Sequence, residues 1–345
     1  MKQFILLSMT VFLVGCSAGK DYSFSPHFNP DSGRFEHPNG ETHDKSFSEL
    51  FSAGLEYFGR EDDEFEDKGF PVIPSTKDDL KALKQSMIWV GQSTILLNYK
   101  DITILTDPHF GDRASPFSFI GPKRITPPPF SVNDLPAIDL VLISHDHYDH
   151  LDEGTIKGLA EEQPEITYFV PLGLAETLTS WGAQNVIELD WWQPVTFKNT
   201  EIQPTPLQHW SRRGLFDRNK TLWAGWMVKW DDFSFYFAGD TGYSNDFTET
   251  ANRLGSPTLA AIPIGAYAPR AFMQAAHMNP EESVKAFQDL GAEFAFGIHW
   301  GTFKLTLETL DEPPLRLKKA LASEDINQSR FRSLQHGEQW SAPFE

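Results

Sequence analysis

The chain has 345 residues, 40% hydrophobic and 22% charged, with a formal net charge of -19. The length allows one large domain plus an extension, and the acidity argues against nucleic acid as a partner and against adsorption to anionic lipid through a basic patch. A single cysteine, Cys16, rules out an intramolecular disulfide and a Cys-rich metal site, while ten Trp and twenty-eight Phe call for a large aromatic core or an apolar cleft beside one.

The N-terminus reads as a bacterial export signal: Lys2, then an apolar stretch from Phe4 to Val14 too short to span a bilayer. It ends in Leu13-Val14-Gly15-Cys16, which resembles a lipobox. That resemblance implies a lipoprotein signal peptide over 1–15, lipidation of Cys16, and a chain tethered to the membrane of the cell envelope, facing the periplasm. Ser17 after the cysteine favours the outer membrane over the inner. Residues 16–80 read as an acidic polar tether, with the run Glu61-Asp62-Asp63-Glu64-Phe65-Glu66-Asp67 as a solvated segment. His27, His37 and His43 lie there without ligand spacing and are expected in solvent.

Residues 81–345 read as one mixed α/β domain. Met87–Val90, Thr94–Asn98 and Ile102–Leu105 are β-branched or apolar runs and predict strands. Ala137–Ser144 predicts a buried strand. A helix is expected over Leu172–Trp181, stopped by Gly182. Trp223–Trp230 and Phe233–Ala238 predict a strand pair, and Ala261–Ile264 and Phe294–Ile298 two more strands. Asn279-Pro280-Glu281-Glu282 predicts a helix start, closed by Gly291.

The strand ending at Ser144 runs into His145-Asp146-His147-Tyr148-Asp149-His150. Residues two apart in extended backbone face the same way, so His145 and His147 can share a metal, while Asp149 and His150 lie past the turn and can face a second. Imidazole and carboxylate without thiolate suit a catalytic metal site. His209, Asp240 and His299 each follow an apolar run and are the remaining candidates.

The segment SHDHYDHLD is similar to the signature of the metallo-β-lactamase superfamily. Leu105-Thr106-Asp107-Pro108, Gly121-Pro122-Lys123-Arg124, Phe237–Tyr243, Ala260–Tyr267 and Ile298–Phe303 resemble its N-acylphosphatidylethanolamine-hydrolysing phospholipase D branch, from about Ser86 to about Trp340. The resemblance implies a four-layer αββα sandwich with two zinc ions, Mn²⁺ or Fe²⁺ being alternatives. It puts His145, His147 and His209 on one ion, Asp149, His150 and His299 on the other, and Asp240 between them. It implies attack by a bridging hydroxide on a phospholipid phosphodiester, giving phosphatidic acid and an N-acylethanolamine. Asp149, Asp240 and His277 are then the catalytic candidates, with His277 either at the substrate phosphate or capping a helix. Tyr267, Trp210 and Trp300 are candidates to line the cleft or to fill the core. Two departures stand out: Gln92 replaces a family His, and Ala268 replaces an acidic residue of the animal enzymes. A homodimer is compatible with this reading. A lactonase or other hydrolase of the same fold, and a non-catalytic metal-binding envelope lipoprotein, stay open as alternatives.

Overall fold

In the computed structural model, residues 21–38 and 68–344 are described. The export signal, Cys16, His43 and the acidic run at 61–67 lie outside them. Among the described residues, no helix is long and apolar enough to cross a membrane.

A short hairpin, β1 (Phe28–Asn29) and β2 (Arg34–Phe35), precedes helix α1 (Lys77–Lys81). Strands β3 (Ser86–Gly91), β4 (Thr94–Tyr99) and β5 (Ile102–Thr106) form an antiparallel meander. To it β6 (Leu140–Leu142), β7 (Thr167–Pro171) and β8 (Asn185–Leu189) add in parallel, bridged by α2 (Glu153–Glu162) and α3 (Ala175–Ser180). The second sheet has the same plan. Strands β9 (Val195–Phe197), β10 (Thr200–Thr205), β11 (Gly225–Lys229) and β12 (Ser234–Phe237) are antiparallel. Helix α4 (Asp246–Leu254) leads to β13 (Leu259–Pro263), then α5 (Arg270–Met273) and α6 (Pro280–Leu290) to β14 (Phe294–Ile298), and α7 (Glu312–Ser323) to β15 (Phe331–Arg332), the three strands running parallel to β12. Finally β16 (Gln339–Trp340) returns to pair with β3, completing two seven-stranded sheets.

Side-chain alternation explains the layering. Met87, Trp89, Leu97 and Ile104 point between the sheets and meet Trp226, Phe235 and Phe237. Their neighbours Ile88, Val90, Leu96 and Leu105 point to the other face, under Ile156, Leu159 and Leu178 of α2 and α3. Val284, Phe287, Leu317 and Leu321 of α6 and α7 cover the second sheet. This is the expected four-layer sandwich.

The element expectations hold with two local differences. The β6 ladder is shorter than Ala137–Ser144, because Ser144 N donates to the Asp107 carboxylate at 2.7 Å instead of to a neighbouring strand. Helix α3 starts at Ala175 rather than Leu172, because the Glu188 carboxylate accepts the N–H groups of Gly173 and Ala175 at 3.0 and 2.8 Å and so caps the start from outside. By contrast α6 runs as expected, with Asn279 and Glu282 forming a reciprocal cap and Gly291 at φ 67.

The tether reading of residues 21–38 is corrected. Tyr22 and Phe35 are buried and Phe28 packs against the main core. His27 and His37 are not free in solvent either: His27 lies 4.6 Å from the Trp191 ring, and His37 Nε2 meets Asp246 at 2.9 Å. A polar average over the segment hides three aromatics that can leave water together. Truncating Phe35 to Ala is expected to lower unfolding free energy by about 3 kcal/mol in denaturant titration, the usual cost of emptying an aromatic site in a core.

His336 is fully buried, 4.3 Å from the Trp89 ring, and shares a 2.9 Å hydrogen bond with Thr302 Oγ1. Burial lowers its pKa to about 3 from 6.5, so it is neutral in the fold and takes up a proton on unfolding in acid. Native stability therefore falls as pH drops below 6.5. The cost of His336→Gln, measured by denaturant titration, is expected to shrink by about 2 kcal/mol between about pH 7 and about pH 4.5, because the variant lacks this proton uptake.

Candidate metal centre

The C-terminal ends of several strands open on one edge of the sandwich. β6 delivers the His145–His150 turn, β10 His209, β12 Asp240 and β14 His299, while β5 delivers Asp107. The Gly239-Asp240 step is required by space: Gly239 has φ 60, and a Cβ there would lie 2.6 Å from Ser144 Cβ. The next strand end has the same tightness, since a Cβ on Gly265 would meet the His299 carbonyl at 2.1 Å.

Two clusters result. His145, His147 and His209 form the first, with His147 Nδ1 at 2.8 Å from His145 Nε2 and 3.3 Å from His209 Nε2. Asp149, His150, Asp240 and His299 form the second. There His150 Nε2 lies 3.3 Å from Asp149 Oδ2 and 3.0 Å from Asp240 Oδ2, and His299 Nε2 lies 3.1 and 3.0 Å from the same two oxygens. Asp240 also groups with His209 and His277, so it stands between the clusters, and its Oδ1 is buried without a partner.

The rings are aimed by their far nitrogens. His150 Nδ1 donates to Asp107 Oδ2 at 2.7 Å. Ser144 Oγ donates to the same oxygen at 2.5 Å and accepts from His145 Nδ1 at 2.9 Å. His209 Nδ1 donates to the Ala276 carbonyl at 3.0 Å. One carboxylate, Asp107, thus fixes a ring in each cluster. Gln92, the departure from the family pattern, donates its side-chain amide to Asp149 Oδ2 at 2.8 Å, and its carbonyl accepts His299 N at 2.9 Å. Both Gln92 and His299 adopt left-handed backbone, at φ 50 and 63.

The donor set fits divalent cations. With Nδ1–H groups committed elsewhere, His145 and His209 turn lone pairs on the single His147 Nδ1, and one proton cannot serve both. In the second cluster, burial disfavours charge on His150 and His299, yet Asp240 and Asp149 overcome it, raising His299 to about 9 and His150 well above its usual value. Burial likewise opposes ionised Asp149 and Asp240, and the facing imidazoles hold both well below the usual carboxylate range. The pocket demands positive charge at its centre, which a metal ion supplies while leaving the rings neutral.

The remaining candidates separate. His277 sits beside the clusters, its Nδ1 3.8 Å from Asp240 Oδ2 and without a hydrogen-bond partner. The cap of α6 is Asn279, so the capping role weighed for His277 does not arise. Trp210 lies at the rim, 4.4 Å from the His147 ring, under the Arg218 guanidinium. Tyr267 does not join them: it is 2% exposed, its hydroxyl donates to Glu312 and its ring lies under Arg316. Trp300 is core, stacked 5.2 Å from Trp89. At Ala268 the backbone N–H donates to Glu308, so an acidic group reaches this turn from another segment. Asp146, the remaining acid of the turn, faces away and accepts from Arg212 N and Thr221 Oγ1. The organising role of Asp107 was missed, although an Asp closing a strand before Pro108 is a visible signal.

Residues 103–300 match the model of a family described as beta-lactamase superfamily domain. The chain is 41% identical over 289 residues to N-acyl-phosphatidylethanolamine-hydrolyzing phospholipase D 1 of Caenorhabditis elegans, across 80% of this chain and 81% of that one. The chain belongs to the beta-lactamase superfamily. A second relative of this superfamily member is the mitochondrial N-acyl-phosphatidylethanolamine-hydrolyzing phospholipase D of Saccharomyces cerevisiae, 39% identical over 67% of this chain and 50% of the yeast protein. The branch suggested by the sequence strings is therefore the right one. Among solved structures, a possible metal-dependent hydrolase from Veillonella parvula superposes with a TM-score of 0.61 at 18% identity, covering 74% of this chain and 99% of that one, which speaks to the fold alone. This superfamily member is an enzyme, a metal-dependent hydrolase.

Asp107→Ala is expected to weaken metal binding by about 10- to 100-fold, with the folded chain retained, as read by metal content after dialysis at limiting metal. Gln92→Ala, which frees only the Asp149 oxygen, is expected to have the smaller effect.

Proposed function

We propose that this chain is a dimetal phosphodiesterase of phospholipase D type acting on N-acylphosphatidylethanolamine-like phospholipids, with phosphatidic acid and an N-acylethanolamine as products. The observation that carries the reading is Asp240, one carboxylate facing two His-rich clusters, in a chain 41% identical over most of its length to a relative named for that activity. His145, His147 and His209 would hold one ion and Asp149, His150 and His299 the other, with Asp240 touching both. Zinc suits this nitrogen and oxygen set, and Mn²⁺ or Fe²⁺ suit it as well. Bound there, the pair of ions would acidify a water and draw charge from the phosphoryl oxygens.

The chain's own residues supply orientation and proton handling. Asp107 and Ser144 keep the rings of His150 and His145 in the tautomer that leaves Nε2 facing inward. Gln92 steadies Asp149. Burial lowers the pKa of His277 to about 4, so its imidazole stays neutral, with one ring nitrogen free to contact the phosphate or the departing oxygen. Trp210 gives the rim an apolar wall. Lipidation of Cys16 would place this chemistry at the surface of a bacterial envelope membrane.

Purified chain incubated with N-acylphosphatidylethanolamine should release both products, and a chelator should abolish the release. His147→Ala and Asp240→Ala should lose metal and turnover together. His277→Ala should keep its metal while turnover falls by about 10²- to 10⁴-fold, the range for a lost acid–base group. Full turnover in a metal-free His147→Ala protein would refute the reading.

A further inference from the structure

Residues 21–38 are pinned to the main domain at three places, two of them on segments that leave the metal centre. Tyr22, Phe28 and Phe35 pack on one another with ring centres 5.2 to 6.0 Å apart, and this knot seats the segment on the core. On the first-sheet side the Tyr22 hydroxyl donates to the Glu188 carboxylate at 3.3 Å, the group that caps α3. On the second-sheet side His37 Nε2 meets Asp246 Oδ2, which also accepts Ser244 Oγ at 2.7 Å, on the stretch that follows Asp240. Between these two anchors Phe35 N donates to the Asn219 carbonyl at 2.7 Å.

Asn219 is the joint. Its backbone is left-handed, at φ 55, a conformation that Asn takes more readily than most residues. Its carbonyl serves the N-terminal segment, while its N–H donates to the Ser211 carbonyl at 2.9 Å and its Oδ1 accepts Ser211 N at 3.2 Å. Ser211 Oγ in turn donates to the Thr221 carbonyl at 2.6 Å, so residues 211–221 close into a ring. From the inner side, Asp146 of the His145–His150 turn accepts Arg212 N at 2.7 Å and Thr221 Oγ1 at 3.0 Å.

This loop follows His209 directly. It carries Trp210, 4.4 Å from the His147 ring, and Arg218, whose guanidinium covers the Trp210 indole. Leu215 and Phe216 at its tip are 78% and 83% exposed, so the tip buries little surface of its own and the loop keeps its place through its anchors. Two supports hold it: the turn that bears the ligand candidates, and the N-terminal segment.

We propose that residues 21–38 are a strap that fixes the loop at 210–221 and, through it, Trp210 at the mouth of the metal centre. Phe35 and Asn219 are positioning residues in this arrangement. Release of the strap leaves the metal ligands in place and lets the Trp210 wall swing, which weakens binding of a substrate pressed against it. The mechanical claim does not rest on the phospholipase reading, whereas its consequence for substrate does.

The test uses the full chain carrying Cys16→Ser, so that a nitroxide can be attached at Leu215→Cys on the loop or, as a control, at Asp231→Cys in the β11–β12 turn. Joint Tyr22→Ser and Phe28→Ser, which unseats the strap, should shorten the correlation time of the label at 215 by about twofold or more and leave that at 231 unchanged. Asn219→Gly keeps the left-handed backbone and the contact with Phe35 but loses the bond to Ser211 N. It should loosen the 215 label less, at an unchanged melting temperature. Metal content should stay constant throughout. In a separate arm with N-acylphosphatidylethanolamine, the double variant should raise KM about threefold or more with kcat nearly unchanged, the pattern of lost binding rather than lost chemistry. A parent that does not turn over would sink the phospholipase reading alone, because label mobility is read without substrate. Equal mobility of parent and double variant at 215, or equal loosening at both labels, overturns the strap. If the double variant does not fold, Asn219→Gly decides alone, and an unchanged 215 label in it overturns the proposal.

Discussion

The buried carboxylate of Asp107 is the interaction on which the site depends. It accepts His150 Nδ1, Ser144 Oγ and Ser144 N, and through Ser144 it also sets His145. Burial pushes its pKa up, and the hydrogen bond and charge of His150 pull against that. An ion so deep in the fold is tolerated only because its lone pairs are filled. The same contact ends the β6 ladder, so it both stops a strand and aims two imidazoles. Its own carbonyl accepts Thr94 Oγ1 at 2.7 Å, which ties it to the meander.

Asp107 orders only the half of the site that grows from the first sheet. The other half, His209, Asp240 and His299, comes from the second, and the spacing between halves is set by the core. Indole N–H groups do part of this: Trp226 donates to the Ile143 carbonyl at 2.9 Å and Trp223 to the Leu207 carbonyl at 2.7 Å, while Ala224 N donates to Ser144 O at 2.8 Å. The aromatic surplus in the composition is therefore mostly core. Each of these rings fills volume between sheets and spends its one polar atom locking a strand end beside the metal centre.

How much was legible follows from whether the cause is local. The His145–His150 turn could be read because its spacing is itself the geometry, and α6 because its cap, first-turn Pro and closing Gly are all adjacent in sequence. His209, Asp240 and His299 were legible only as strand ends, and the strings flanking them gave the superfamily. Asp107 and the brace from Gln92 were not, since their partners lie 43 and 57 residues away. The docking of Tyr22, Phe28 and Phe35 failed for the same reason, as did the pairing of His37 with Asp246 across 209 residues. Tyr267 looked like a cleft residue beside an active-site strand, but Glu312 and Arg316 on α7 claim it.

The wide sequence separation within the two clusters has a consequence for assembly. His147 meets His209 across 62 residues, and Asp149 meets His299 across 150. Loops of that size cost entropy to close, and the cost rises only slowly with length. The core between the sheets holds these loops closed in the folded chain, so an ion that binds there meets donors already gathered. It then acts as a clasp between the two halves of the chain, binding the folded state far better than the unfolded one and slowing the separation of the sheets.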